Sequence, residues 1–151
     1  MCDWRSIPSI VSMGERSDSR CPTVLLSHAL PDGTGHVDWM IARDAAATQK
    51  LITFRLPRRL DELAPGQFMS IEHIGDHRPD FLRYEGPVSG DRGHVAHLLT
   101  GEIIEPAAIS LENLQSIEIV IRWTENQGVM RDQRLRLRRT DGPDSWAIDC
   151  L

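Results

Sequence analysis

Eight short apolar segments, at residues 23–29, 36–42, 51–56, 68–73, 94–99, 117–123, 134–138 and 146–150, recur between turn signals. None is longer than seven residues, too short for a packed helix and the right length for a strand. Evenly spaced strands with few helical stretches between them predict an all-β domain, an antiparallel barrel or sandwich. One or two short helices fit in the gaps, at residues 61–63 and at 109–114, the second preceded by Pro106. A chain of 151 residues supports one such domain and one core. Residues 1–20 interleave Ser6, Ser9, Ser12, Ser17 and Ser19 with charges and lack periodicity, so they read as a flexible leader to a domain spanning 21–151.

Charge and cysteine usage narrow the setting. The formal net charge of −5, with a pI of about 5.6, gives no global attraction for nucleic acid, so any such contact needs a local basic patch. The basic run that offers one is Arg134, Arg136 and Arg138, alternating with Leu135 and Leu137 as a half-buried strand does. The same alternation also describes a solvated strand face, the plainer reading. Cys2, Cys21 and Cys150 are odd in number and form no CxxC motif, which favours free thiols in a reducing compartment, the cytoplasm. No apolar stretch approaches the roughly 20 residues of a membrane span.

Chemistry concentrates in the first half. Residues two apart in a strand project from one face, roughly 6 to 7 Å apart, so His36 and Asp38 point the same way. Pro31, Asp32, Gly33 and Gly35 mark a hairpin turn before them. With the hairpin symmetric about Gly33, His28 falls opposite Asp38, with His36 as diagonal neighbour, and three ligands converge. Two imidazoles and a carboxylate suit manganese, iron or zinc, and such an ion polarises phosphoryl oxygens. Trp39 alternates away from that face.

The ordered set His28, His36-x-Asp38, Asp76-His77 and Tyr84-Glu85-Gly86 resembles the 3'-phosphoesterase domain of bacterial DNA ligase D and its stand-alone relatives. The likeness runs from about Cys21 to Val95. It implies a β-barrel that uses Mn2+, or another divalent metal such as Zn2+ or Fe2+, to trim 3'-phosphate or 3'-ribonucleotide ends on a DNA primer-template in DNA repair, beside a ligase or repair partner. By that resemblance His28, His36 and Asp38 are metal ligands and His77 contacts the phosphate. The chain departs from the pattern where two arginines, a glutamate and a tyrosine are replaced by Met40, Met69, Gly75 and Phe81. Arg55 and Arg78, the latter beside His77, are candidates to take over phosphate binding, a task for which the planar guanidinium fork is suited. Two alternatives stand beside this enzyme reading: a catalytically silent module that binds metal and nucleic acid, and a hydrolase of small phosphoesters.

Overall fold

The computed structural model describes residues 20–151; most of the expected leader therefore lies outside the described residues. Every one of the eight apolar segments forms a strand. In chain order these are β1 (Cys21–Ala29), β2 (Gly35–Ile41), β3 (Leu51–Leu56), β4 (Phe68–His77), β6 (His94–Glu105), β7 (Ser116–Thr124), β8 (Met130–Arg139) and β9 (Ser145–Cys150), with a two-residue strand β5 (Gly86–Pro87) added on β6. Hydrogen bonds run β1-β2-β3-β4-β9-β8-β7-β6 and return from β6 to β1, so the sheet closes into an eight-stranded antiparallel barrel. Closure leaves the long strands without a free edge to aggregate.

The helical expectations are corrected in part. Among the described residues there is no α-helix, only 3-10 turns at Leu60–Glu62, Pro79–Leu82 and Asn126–Gly128. The first overlaps the segment expected at 61–63, whereas 109–114 is irregular. Ile109 is buried there as a side chain of the core rather than as one face of a helix.

Packing explains why the barrel holds. Trp39 stacks on Phe54 at 5.5 Å between ring centroids, and Phe54 meets Trp146 edge-on at 6.0 Å. All three are essentially inaccessible, each worth about 1.5–3 kcal/mol or more in removed apolar surface. The indole N–H of Trp39 donates to Thr23 Oγ1 (2.8 Å), and that of Trp123 to Gln133 Oε1 (2.9 Å). Gln133 in turn donates to the Leu60 and Leu63 carbonyls, tying the first 3-10 turn to the core. The tryptophans seen here are thus core residues.

The two sides of the barrel differ. On β8 the pattern is one-sided, with Gln133, Leu135 and Leu137 buried and Arg134 and Arg136 outward. On β2 and β3 both faces are covered, since Asp38, Trp39, Met40 and Ile41 are buried in succession, as are Leu51 to Phe54. Part of that cover is the segment between β4 and β6, in which Phe81 and Leu82 pack onto the core. Strands of a small barrel need be apolar on one face only. The second buried face is where the unusual polar residues sit.

Candidate metal centre and phosphate cleft

The β1–β2 hairpin turns through Leu30 to Thr34, closed by Leu30 N–H to Thr34 O (2.8 Å) and Gly33 N–H to Leu30 O (3.0 Å). The turn is centred on Asp32, one residue earlier than Gly33. Asp32 is the residue that holds it, its carboxylate accepting from the backbone N–H and hydroxyl of Thr34. The register corrects the expected pairing. His28 lies directly opposite His36, and Asp38 lies opposite Leu26, diagonal to His28. Direct and diagonal partners share a face, so the three side chains still converge. One ligand atom from each of His28, His36 and Asp38 lies within 4.8 Å of the others.

Protonation at these rings follows from their partners. His28 Nε2 is 2.7 Å from the Arg92 carbonyl. A carbonyl only accepts, so Nε2 holds the proton and the lone pair is on Nδ1, 3.6 Å from Asp38 Oδ2. Backbone carbonyls commonly fix metal-binding histidines in this way. His36 Nε2 lies 3.1 Å from Asp38 Oδ1, yet both atoms are buried without a hydrogen bond of acceptable geometry. Buried polar atoms left unpaired are costly, and one divalent cation would satisfy the pair together with His28 Nδ1. Burial pushes the His36 imidazole below its ordinary value of 6.5 against the pull of Asp38, and the charge of Arg55 and the neighbouring His28 push the same way. The neutral form that a metal needs is favoured there.

A cleft of about 500 Å³ opens beside the trio, lined by His28, Asp38, His77, Arg78, Phe81 and Arg92 among others. His77, at the end of β4, sits with Nδ1 3.1 Å from Thr53 Oγ1, whose hydroxyl donates to the Leu51 carbonyl (3.2 Å). The hydroxyl proton being committed, His77 Nδ1–H donates to Thr53, and Nε2 is the bare nitrogen of the neutral ring. His77 therefore presents a donor at Nε2 only as imidazolium. Arg55 stands opposite Asp38 on β3, on the same face of the sheet. Among the described residues neither Arg55 nor Arg78 has a carboxylate partner within ion-pair distance.

The departures from the family pattern fall in different places. Met40 lines the cleft, and Phe81 lines it too, edge-on to His77 at 5.6 Å. Met69 is packed in the core and does not line the cleft. Glu85 accepts from the His97 backbone N–H (2.6 Å) beside the bulge where β6 passes Leu25 and Leu26 of β1, a structural role. Asp76 pairs with Arg43 (2.6 Å). The basic run does not join the site. Arg134, Arg136 and Arg138 lie on β8, four strands round the barrel from β2, and face Glu118 and Asp149.

Sequence reasoning missed Arg92 and Thr53. Arg92 lies between Gly90 and Gly93 in a turn just past the Tyr84-to-Gly90 stretch, and its backbone carbonyl is the functional atom, which no side-chain pattern records. Thr53 alternates with Phe54 on β3 as any strand residue does. A scan against protein-family models finds no match to this chain, and a search of curated proteins finds none. No helix among the described residues is long and apolar enough to cross a membrane.

Proposed function

We propose that this chain is a metal-dependent phosphoesterase resembling the 3'-phosphoesterase domain of DNA ligase D, acting on 3'-phosphate or 3'-ribonucleotide ends of DNA. The observation that supports it best is the pair of buried, unsatisfied ligand atoms on His36 and Asp38 facing a tautomer-fixed His28 at the edge of a cleft with arginines on its walls. His28, His36 and Asp38 would hold the ion, Mn2+ by resemblance and Zn2+ or Fe2+ by ligand chemistry. When bound it supplies Lewis-acid polarisation of a phosphoryl oxygen.

The remaining steps belong to the chain's own side chains. Arg78 and Arg55 orient the phosphate through charge-assisted hydrogen bonds, each worth roughly 1.5–3 kcal/mol. His77, as imidazolium, donates from Nε2 to a phosphate oxygen or to the departing oxygen. The Nδ1–H bond to Thr53 keeps that nitrogen aimed outward. Partners on this reading are nucleic-acid 3' ends and a ligase or other repair protein. The setting is the cytoplasm, where buried Cys21 and Cys150 stay reduced.

The test is a 5'-labelled primer-template bearing a 3'-phosphate or a terminal ribonucleotide, assayed with Mn2+, with His36→Ala as control. Product lost in the variant supports the phosphoesterase. No product from wild type, in a sample that binds Mn2+, favours the second reading, a silent metal- and nucleic-acid-binding module. That reading has its own support, because Met40 and Phe81 make part of the cleft wall apolar where phosphate needs donors.

A further inference from the structure

The turn between β5 and β6 is the part of the cleft that the reaction as drawn leaves unused. Val88 N–H donates to the Gly93 carbonyl (2.7 Å), closing a loop over Ser89, Gly90, Asp91 and Arg92. Gly93 has φ +96, and a Cβ there would lie 2.0 Å from the Ala29 carbonyl. Only glycine allows that approach, and the approach presses the turn onto the end of β1. This contact delivers the Arg92 carbonyl to His28 Nε2.

Arg92 itself lines the cleft, together with Ser89, His77 and Arg78. Its Nε donates to the Ser89 carbonyl (2.7 Å) and one Nη2 hydrogen points at Ser89 Oγ (3.3 Å). A guanidinium has five N–H donors, so these bonds orient the fork and leave the others unspent. Among the described residues Arg92, like Arg78, has no carboxylate within ion-pair distance, whereas Arg20, Arg43, Arg59, Arg122, Arg131 and Arg138 each have one. Of the carboxylates on the cleft wall, Asp38 faces the histidines and Asp76 is paired with Arg43, which leaves Asp80 to oppose two guanidiniums.

We propose that Arg92, with Ser89 and Arg78, forms a phosphate-monoester subsite, and that the same residue couples this subsite to the metal centre, its side chain gripping the anion while its carbonyl orients His28. The inference rests on the phosphoesterase reading for the identity of its substrate but not for the anion site itself. One turn serves both ends. Loss of the Arg92 side chain should spare metal binding, because the carbonyl remains.

The experiment measures binding of inorganic phosphate by calorimetry, with and without Mn2+, and binding of Mn2+ by its electron paramagnetic resonance signal, in wild type, Arg92→Gln, Arg92→Lys and Arg83→Gln. Expected for Arg92→Gln is a phosphate affinity lower by at least about tenfold, the loss of one charge-assisted bond, with Mn2+ affinity within twofold of wild type. Arg92→Lys should recover part of it, and Arg83→Gln, at an exposed arginine that does not line the cleft, should match wild type. Equal phosphate affinity in wild type and Arg92→Gln, or no phosphate binding by wild type in either condition, overturns the inference while leaving the metal reading standing. An Arg92-dependent phosphate site in a protein that binds no Mn2+ keeps the inference and sinks the metallophosphoesterase.

Discussion

The wall of the barrel richest in arginine and the wall that lines the cleft handle charge in opposite ways. On β7 and β8 the guanidiniums point outward and meet acids on neighbouring strands: Arg122 with Asp132, Arg136 with Glu118, Arg138 with Asp149 of β9, at 2.8–3.0 Å. Arg122 and Asp132 each hold the other's charged form, the arginine raised and the aspartate lowered from their ordinary pKa by the bond between them. Arg78 and Arg92 on the cleft wall, and Arg55 outside that lining but opposite Asp38, are fewer, and none is paired with a carboxylate among the described residues. The difference teaches that arginine density is a poor guide to anion binding. What matters is whether a neighbouring carboxylate comes within ion-pair distance: Asp38 and Glu72 stand opposite Arg55 on the flanking strands and neither does.

Breaking the metal site should have the largest effect. Replacement of Asp38 by Ala removes the one carboxylate ligand and is expected to weaken Mn2+ binding more than about a hundredfold, beyond the 10–100-fold typical of residues that only support a ligand. Titration of the Mn2+ resonance signal checks it. Next come the arginines assigned to phosphate, Arg78 on the cleft wall and Arg55 opposite Asp38. Arg78→Gln and Arg55→Gln should each lower turnover on a 3'-phosphate by roughly ten- to a hundredfold, as loss of a charged hydrogen bond does, with folding unchanged by circular dichroism. Arg136→Gln should alter turnover less than about twofold, because its charge is already answered by Glu118; the opposite ranking would break the comparison between the walls.

A smaller effect sharpens it. Glu118→Gln leaves Arg134 and Arg136 without their shared acid, at 3.9 and 3.0 Å. Non-specific single-stranded DNA binding should rise several-fold, and the slope of log affinity against log salt should steepen by about 0.7 to 1.4, one or two phosphates' worth. Arg138→Ala, by contrast, should cost only about 0–1 kcal/mol in a urea melt, since a pair this exposed is worth little.

The eight strands were legible because period-two alternation and turn residues are local properties of the chain. The hairpin register was not, because it depended on which residue centres the turn, and the Asp32 side chain, bonding forward to Thr34, decided that in favour of a centre one residue before Gly33. The convergence of His28, His36 and Asp38 survived the error, since direct and diagonal partners share a face. The cleft beyond them was mostly illegible. Arg92 acts through a carbonyl, and Met69 faces the core although its place in the sequence suggested the site. The value of Arg55 and Arg78 depends on whether the acids near them, Asp38 and Glu72 for Arg55 and Asp76 and Asp80 for Arg78, come within ion-pair distance, a fact of three dimensions.

The most direct measurement is the stoichiometry of Mn2+ bound to wild type, His36→Ala and Arg136→Gln, followed by its resonance signal at neutral pH. The arrangement of His28, His36 and Asp38 predicts one site per chain in wild type and Arg136→Gln, and none in His36→Ala. Binding that persists in His36→Ala, or no binding in wild type, would contradict the metal centre and with it the phosphoesterase.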